Sequence, residues 1–358
     1  MIAAALAFAW LGQVTEVHVR AAASLRESFQ VIAKAYEAKN PGLKIVLEFA
    51  GSQELAAQIN QGAPTDIFAS AAPKNLDQIA YDPTSRRIFA LNRLVVVTPA
   101  RHKLRDFRSL DHAKNLVLAA PAVPAGAYAR LALNQAGSAY GGGWTKRVLS
   151  HVVSEEQDVR AVLSKVQLGE ADAGIVYASD AVAAKGKVAT TAIPAEYQPE
   201  IQYVLGIPKA ASQAHEAMHF IHAILAPGGQ DALQGQGFVS ILGHATKLRV
   251  HFGRLNMVHK LPLSGITKTV TATNPGGKPQ SYTGMPFEKL VPSTYGDVVK
   301  CIGADGYEQI FSYAKLRAAG AVIVPFQEKY AQIVIPGEKP RAWVSWLTDI
   351  VVPGSLQK

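Results

Sequence analysis

The sequence predicts an α/β protein of two lobes, followed by a smaller, mainly β domain. Up to about residue 240, short apolar strands alternate with helical patterns, which is typical of α/β folds built on parallel sheets. The cycle of strands and helices starts a second time after Thr98, which indicates a second lobe. Beyond residue 244 the chain changes to Thr/Val-rich segments separated by Gly/Pro turns, which favour strands.

Composition narrows the class of protein. The chain has 358 residues, of which 49% are hydrophobic and 18% charged, as expected for a globular protein with more than one domain. A single cysteine excludes an intramolecular disulfide and a Cys-rich metal site. The formal net charge of +9 comes without a Lys/Arg cluster or interleaved aromatic residues, so we predict no nucleic-acid partner.

The N-terminus resembles a targeting segment. Residues 1–11 are apolar but too short to span a bilayer as a helix. Ala7-Phe8-Ala9 fits a small-x-small cleavage site, although no basic residue precedes it. We therefore predict that residues 1–14 are a signal-peptide remnant and that the protein is exported; a first strand of an ordinary domain is the alternative.

The first strand leads into a candidate anion site at Ser24. Three alanines precede this serine, and a helix follows, whose apolar residues recur at three- and four-residue steps (Leu25, Phe29, Ile32, Ala33 and Tyr36). Ser24 is therefore predicted to be the helix N-cap. A helix N-terminus with small neighbours suits an anion, because free N–H groups and the helix dipole favour negative charge. An ordinary cap is the alternative interpretation.

The same order of strand, small residues, serine and helix occurs again further along the chain. Leu43–Phe49 reads as a strand that ends in Ala50-Gly51-Ser52, with a helix after it, and Asp66–Ser70 reads as a third strand. A β-α-β-α-β order predicts a parallel sheet whose ligands lie outside the carboxyl ends of the strands. In the second cycle, Asn115–Ala120 and Asp172–Tyr177 read as strands, and Ser154 to Gln157 fits a helix capping box.

Two further features, a histidine pattern and the single cysteine, could be interpreted as metal ligands. His215 and His219 form an H-E-x-x-H pattern on a predicted helix, which is the pattern of zinc proteases. His222 follows at the wrong spacing for the longer zinc motif and no downstream Glu ligand is evident, so we favour a surface helix. Cys301 lies inside an apolar strand, where a buried inert thiol is more common than a metal ligand. We predict no cation site.

A series of sequence blocks points to a family. They are AAASL at 21–25, FAGSQELAAQI at 49–59, GAPTDIFASA at 62–71, LVVVTP at 94–99, VPAGAYA at 123–129, EEQDVRAVL at 155–163, ADAGIVYASDA at 171–181 and APGGQDALQGQGF at 226–238. In these blocks the chain resembles the molybdate-binding receptors of ABC importers, a branch of the type II periplasmic binding proteins. The resemblance implies two α/β lobes on a hinge that close on a tetrahedral oxyanion.

The resemblance also implies a ligand set. By matching family positions, the oxyanion-binding residues would be Ser24, Ser52, Ala125, Val159 and Tyr177. None of the five carries a charge, and the first four also lie at helix N-termini that the residue pattern predicts. Neutral donors at several helix N-termini can hold a dianion without burying a Lys or Arg. Arg160 is predicted to be a solvated side chain; a contribution of its charge to the field at the site, from outside the ligand set, is the alternative. The family often has Asp where this chain has Ala72, which bears on the rim of the cleft.

A second resemblance concerns the C-terminal region. The blocks GKPQSYTGMPFEKLV, GADGYEQIFSYAKL and IVIPGEKPRAWVSWLTDIVV are similar to the molybdopterin-binding domain of sulfite-oxidase-type enzymes. This resemblance implies a module that could bind molybdopterin, with Lys278, Lys339 and Arg341 as cations for its phosphate. Solvated loop charges are the alternative.

These observations lead to one predicted architecture and function. Residues 15–243 form the oxyanion-binding domain, with lobe I at about 15–97 and 204–243 and lobe II at about 98–203, and residues 244–358 form the β-rich domain. We expect an exported, periplasmic or extracytoplasmic, monomeric receptor that delivers molybdate or tungstate to an ABC permease, is not an enzyme and requires no cofactor. A molybdenum-cofactor oxidoreductase and an oxyanion sensor, each acting through the C-terminal domain, are the alternatives.

Overall fold

The chain divides into two units in its three-dimensional structure. A computed structural model describes residues 14–241, 247–252, 255–260, 268–274, 278–291, 298–303, 305, 307–326, 330–338 and 347–352. One unit comprises Met1–Ser85, Asn92–Ile201 and Leu205–Gly237, and the other Arg86–Leu91, Gln202–Val204 and Phe238–Lys358. The predicted signal-peptide remnant, apart from residue 14, and the predicted domain boundary at 243/244 lie outside the described residues.

The first sheet collects the N-terminal strands. It consists of β1 (Thr15–Ala22), β2 (Leu43–Ala50), β3 (Ile67–Ser70), β4 (Arg87–Asn92) and β10 (Ile201–Gly206). Their order is β2-β1-β3-β10-β4, and β1 runs parallel to both β2 and β3. Strand β1, between β2 and β3, buries Val17, Val19 and Ala21, which alternate along the strand and therefore share one face of the sheet.

The second sheet forms the core of the second lobe. It consists of β5 (Leu94–Pro99), β6 (Leu116–Ala119), β7 (Val152–Glu156), β8 (Ala173–Tyr177) and β9 (Val188–Ala192), in the order β7-β6-β8-β5-β9. β6 is parallel to β7 and β8, but β5 is antiparallel to β8 and β9. The two α/β lobes are confirmed, whereas the prediction of purely parallel sheets is wrong. A strand as apolar as β5 reads the same in either direction, since its burial leaves no polar alternation.

Nine α-helices accompany these sheets among the described residues. They are α1 (Arg26–Lys39), α2 (Ser52–Asn60), α3 (Pro73–Leu76), α4 (Pro124–Tyr140), α5 (Trp144–Ser150), α6 (Val159–Leu168), α7 (Ala178–Ala183), α8 (Ala214–Leu225) and α9 (Pro227–Gly235). The apolar side of α1 is buried as its period predicts, with Phe29, Ile32 and Ala33 at most 4% exposed. In the part of the chain that the structure describes, no helix has the length and hydrophobicity that crossing a membrane requires.

Short 3-10 helices occur at four further places: Ala23–Leu25, Pro83–Ser85, Arg108–His112 and Ala195–Tyr197. The first of these changes the start of α1. Ser24 lies inside this 3-10 turn, and the N-cap position of α1 is Leu25, so the prediction of Ser24 as the N-cap is wrong by one residue. The helical period could not place this boundary, because a 3-10 turn extends the apolar pattern without a break.

Two other local predictions differ from the structure. The predicted capping box from Ser154 overlaps strand β7, and α6 is capped by Asp158 instead. The predicted lobe boundary at 97/98 falls inside β5, because β4 and β5 lie in different sheets on either side of Arg93. The chain therefore passes to the second sheet at Arg93, earlier than the predicted lobe boundary at 97/98. No Gly or Pro marks this crossing in the sequence.

The C-terminal region is built mainly from strands, as predicted. One sheet consists of β11 (Lys247–Phe252), β12 (Leu255–Lys260), β15 (Val298–Gly303), β16 (Glu308–Ser312) and β19 (Leu347–Val352), in the order β12-β11-β19-β15-β16. The other consists of β13 (Lys268–Thr273), β14 (Pro279–Pro286), β17 (Val322–Phe326) and β18 (Tyr330–Val334), in that order. The neighbouring strands β13 and β14 pair antiparallel. Two short helices, α10 (Phe287–Leu290) and α11 (Tyr313–Ala318), complete the described part.

A buried ion pair lies inside the second unit. Arg87 Nε of β4 is 3.0 Å from Asp305 Oδ2, and the two side chains are 10% and 4% exposed. The Arg87 guanidinium also stacks on the Tyr307 ring, 4.1 Å from its centroid, and Ile88 N donates to Asp305 O at 2.6 Å. Burial raises the pKa of the Asp305 carboxyl, while the Arg87 charge favours its ionised form. This cluster ties strand β4 to the turn between β15 and β16.

Candidate functional site

Two of the predicted ligand residues follow neighbouring strands of the first sheet. In the parallel register of β1 and β2, Ala22 pairs with Ala50. Ser24 and Ser52 each come two residues after these partners, so both serines lie at the same edge of the sheet. Ser24 is part of the 3-10 turn before α1, and Ser52 is the first residue of α2. The carboxyl edge of parallel strands is where ligands of α/β sheets bind.

The Ser52 hydroxyl is oriented by the third strand. Ala71 N, just beyond β3, donates to Ser52 Oγ at 3.1 Å. A hydroxyl can accept and donate at once, so this bond fixes the position of Oγ and leaves its own O–H for donation. Gly51 before it has no room for a side chain, since a Cβ there would lie 2.7 Å from Gln157 O. Close approach of the backbone to residue 157 explains the glycine.

The other three predicted residues follow the three parallel strands of the second sheet. Ala125 is the second residue of α4, after β6. Val159 is the first residue of α6, after β7, and Tyr177 is both the last residue of β8 and the N-cap position of α7. Because β6 lies between β7 and β8 and runs parallel to both, the three helix N-termini share one edge of this sheet.

Close packing sets the position of α4. Gly126 approaches the preceding turn so closely that a Cβ would lie 2.2 Å from the carbonyl oxygens of Ala119 and Ala120. Only a glycine permits this approach of helix to strand. As a result, the N–H groups of the first turn of α4, that of Ala125 among them, start directly beyond the end of β6.

The cap of α6 selects which N–H group remains for a ligand. Asp158 Oδ1 accepts from Arg160 N at 2.7 Å and from Ala161 N at 3.0 Å. Among the first three N–H groups of α6, that of Val159 is therefore the one that the cap does not use. An anion at this end of α6 would meet the Val159 N–H.

The two sets of residues approach each other across the lobes. Gln53 Nε2 in the first turn of α2 donates to Gln157 O, two residues before α6, at 2.9 Å. The 3-10 turn that holds Ser24 packs close to α6. All five side chains are buried; the exposed fractions are 3% for Ser24, 2% for Ser52, 1% for Ala125, 4% for Val159 and 1% for Tyr177. The starts of α1 and α2 in the first lobe thus lie close to the start of α6 in the second lobe.

Next to these residues lies a network of three charged side chains, Glu27, Arg160 and Asp180, that the sequence did not predict. Arg160 Nη1 is 3.1 Å from Glu27 Oε1, and Arg160 Nη2 also contacts Glu27 Oε2. Arg160 Nε is 2.8 Å from Asp180 Oδ1, and Tyr177 N donates to Asp180 Oδ2 at 3.2 Å. The prediction of a solvated Arg160 is wrong, because its side chain is only 21% exposed and paired on two sides.

Asp180 is the most perturbed acid of this network. Its side chain is fully buried, and burial raises the pKa of its carboxyl to about 7. The Arg160 guanidinium and the Tyr177 N–H favour the ionised form, whereas the charges of Glu27 and Asp158 oppose it. Burial thus outweighs the Arg160 charge, and the pKa of Asp180 lies well above that of an exposed aspartate.

The histidine motif lies elsewhere, on the exposed side of α8. His215 Nε2 and His219 Nε2 are 3.2 Å apart, and the ring centroids of His219 and His222 are 6.5 Å apart. All three side chains are exposed, in accord with a surface helix. Within the described residues, no group of three or more His, Cys, Asp or Glu side chains is placed to hold a metal ion.

Cys301 lies inside the second unit. It belongs to β15, is completely buried, and carries a thiol whose pKa is raised by burial to about 12. A metal ligand would have to be a thiolate, so the environment of Cys301 disfavours that role. Among the cations predicted to meet a pterin phosphate, Lys278 is exposed, and Lys339 and Arg341 lie outside the described residues.

Comparison with known proteins identifies relatives of the first unit. A family model described as bacterial extracellular solute-binding protein matches residues 17–239. The molybdate-binding protein ModA of Mycobacterium tuberculosis is 36% identical over 229 residues, which are 62% of this chain and 83% of the relative. The molybdate-binding protein ModA of Escherichia coli is 36% identical over 228 residues, which are 59% of this chain and 86% of that protein.

Solved structures agree with the fold. The substrate binding domain of a putative molybdenum ABC transporter from Clostridium difficile has a TM-score of 0.51 and 27% identity, over 63% of this chain and 99% of that one. The Azotobacter vinelandii periplasmic molybdate-binding protein has a TM-score of 0.55 and 22% identity, over 62% and 98%, and supports the fold alone. The family comprises solute-binding proteins, in agreement with the prediction of binding rather than catalysis. Over residues 17–239, more than half of its length, this chain therefore belongs to the family of bacterial extracellular solute-binding proteins.

Proposed function

We propose that this chain is the substrate-binding receptor of an ABC importer for molybdate or tungstate. One observation carries the proposal: Ser24, Ser52, Ala125, Val159 and Tyr177 are each buried at or next to a strand end or helix N-terminus, two in the first lobe and three in the second, and none of them is charged. The names of the relatives from M. tuberculosis and E. coli, each a molybdate-binding protein at 36% identity, support the same ligand.

The chemistry of these residues suits an anion. Backbone N–H groups at Ala125 and Val159, the serine hydroxyls and the Tyr177 phenol are all hydrogen-bond donors. Helix N-termini add a partial positive charge. No carboxylate belongs to the set, so a metal cation would find no suitable ligand there.

The donors favour a fully deprotonated tetraoxo dianion. Hydrogen phosphate carries a proton that requires an acceptor, and an N–H group cannot accept it. Ser52 Oγ already accepts from Ala71 N, which occupies one of the few acceptor positions available. Molybdate, tungstate and sulfate carry no proton at neutral pH and satisfy this requirement, and the size of the enclosed space would select among them.

The proposal includes the cellular context. The receptor would be exported, act in the periplasm or another extracytoplasmic space, and deliver its anion as a monomer to a membrane permease. Binding would consist of lobe closure around the anion, without covalent chemistry and without a cofactor. A genomic neighbourhood lacking a permease and an ATPase would instead favour an oxyanion sensor.

For the C-terminal domain we propose an appended module that binds a pterin or a molybdenum compound. Its resemblance to the molybdopterin-binding domain of sulfite-oxidase-type enzymes, with a mainly β architecture, supports this. The buried thiol of Cys301 weighs against the alternative of a molybdenum-cofactor oxidoreductase, since a thiolate ligand is disfavoured there. Extraction of the purified protein for a pterin, together with a redox assay, tests both.

Calorimetry with the purified full chain tests the ligand. Molybdate, tungstate, sulfate and phosphate are titrated separately at one ionic strength. We expect tight binding of molybdate and tungstate, weaker binding of sulfate and none of phosphate. Binding of sulfate or phosphate without binding of molybdate would overturn the assignment.

The two serines provide the sharpest test of the site. The double substitution Ser24→Ala, Ser52→Ala should weaken molybdate binding by about 100-fold or more, because hydrogen bonds to charged groups contribute about 1.5–3 kcal/mol each. The matched control is Ser28→Ala, since Ser28 is equally buried but its hydroxyl donates to Leu25 O at the start of α1. The control should leave the affinity unchanged. An undiminished affinity of the double variant would show that the site lies elsewhere.

A further inference from the structure

Arg160 joins the two lobes next to the candidate site. It directly follows Val159 in the first turn of α6, and its guanidinium pairs with Glu27 in the first turn of α1. Glu27 lies three residues after Ser24. The ion pair therefore spans the same gap between the lobes as the proposed anion, with one predicted ligand residue close in sequence to each end.

The guanidinium is held on its own lobe by a buried acid. Arg160 Nε pairs with Asp180 Oδ1 at 2.8 Å, and Asp180 has no exposed side-chain surface. The other oxygen of Asp180 accepts from Tyr177 N. Asp180 thus contacts both Arg160 and Tyr177. The backbone N–H of Arg160 is also fixed, because it donates to the side chain of the helix cap Asp158. Arg160 is a fixed part of the second lobe.

The pair with Glu27 is different, because it crosses the lobes. Glu27 is 31% exposed and Arg160 21%, so the pair is partly shielded from water and forms two parallel contacts. A bidentate ion pair that is partly shielded from water contributes more stabilising free energy than an exposed one. Opening of the lobes would separate Glu27 from a guanidinium that stays with Asp180.

We propose that Arg160 is a positioning residue that slows release of the bound anion, by clamping Glu27 across the closed lobes. This inference rests on the proposed function and extends it. The clamp does not touch the anion: Arg160 holds the lobes together while the uncharged donors hold the ion. Its loss should therefore act on dissociation more than on association, as expected for a shielded charge pair.

Stopped-flow kinetics of the full chain with molybdate tests the clamp. Arg160→Gln should raise the dissociation rate by about tenfold or more and change the association rate by less than about threefold. Glu27→Gln, on the other lobe, should have the same effect. Arg160→Gln also breaks the pair with Asp180, so the double variant should dissociate no faster than Arg160→Gln alone, which has already lost the contact with Glu27.

The matched control is Lys165→Gln. Lys165 lies on the same helix and pairs with Glu156 at 2.6 Å, but both residues belong to the second lobe. This variant should leave the dissociation rate unchanged. Urea unfolding of every variant is recorded, so that a rate is compared only between folded proteins.

The possible outcomes separate the clamp from the proposed function. An unchanged dissociation rate in Arg160→Gln, an effect of Arg160→Gln without one of Glu27→Gln, or additive effects in the double variant would each overturn the clamp. If the wild-type chain binds sulfate and not molybdate, the proposed function fails, and the same comparison is made with sulfate, so the clamp is still tested.

Discussion

Asp180 is a buried acid that contacts two residues at the candidate site. It accepts from the Tyr177 N–H and pairs with Arg160, so it orients two residues at the helix N-termini of the second lobe. Its sequence context, ASDA, offers no sign of this role. The signal that could have found it is its position three residues after Tyr177, where an acid completes a capping box.

Asp180 should also make folding stability depend on pH. Its folded pKa of about 7 lies above the value of about 3.9 for an unfolded aspartate, so the folded state binds the proton more tightly between these two values. The free energy of unfolding should therefore decrease as pH rises from about 4 to 7. Urea unfolding at several pH values measures this slope, and Asp180→Asn should reduce it. A slope that is the same in the variant would assign the dependence to other groups.

At the scale of elements, the position of the first turn of α4 depends on a single glycine. Gly126 has no space for a Cβ, as the 2.2 Å distances to the carbonyl oxygens of Ala119 and Ala120 indicate. Backbone atoms cannot move aside as a flexible side chain can. A methyl group would therefore shift α4 away from β6, and with it the N–H groups near Ala125.

Gly126→Ala should lower the free energy of unfolding by about 1–3 kcal/mol and weaken molybdate binding. Urea unfolding and calorimetry measure the two effects. Gly228→Ala in α9 is the control, because a Cβ there meets nothing within 4 Å, so stability should be unchanged or slightly higher. Equal behaviour of the two variants would mean that the close approach at Gly126 is relaxed at little cost.

For the molecule as a whole, the second unit is not simply the C-terminal third of the chain. It includes Arg86–Leu91 and Gln202–Val204, and the pair between Arg87 and Asp305 connects residues far apart in sequence. A boundary drawn from composition alone, at residue 244, would separate the two partners of this buried pair.

Arg87→Ala should destabilise the protein by about 3–5 kcal/mol, because it leaves the Asp305 charge buried without its partner. Replacing both residues by apolar ones, as Arg87→Met with Asp305→Leu, should cost much less than the single change. Unfolding in urea measures both variants. A double variant as unstable as the single one would show that the pair itself is not what stabilises this cluster.

Local sequence patterns were sufficient for the elements and for the positions of the candidate donors. The strand-turn-helix order predicts the ends of β1, β2 and β6 and places Ser24, Ser52 and Ala125 near helix N-termini, because period, small residues and turns are properties of neighbouring residues. The antiparallel direction of β5 and the switch of sheets at Arg93 were not predictable in this way, since each depends on which distant strand is the partner. The cap by Asp158 is a local signal that the capping-box interpretation at Ser154 missed.

The strand-and-helix order and the series of family blocks, both properties of the linear chain, were enough for the class of this protein. Only the tertiary structure brings Arg160 between Glu27 and Asp180, residues that are 133 positions apart in one case and 20 in the other. An isolated Arg on an amphipathic helix reads as solvated, because nothing in its neighbourhood reveals the opposite lobe. Arg160 becomes buried and paired only when the two lobes pack against each other, and this packing depends on residues far apart in the sequence.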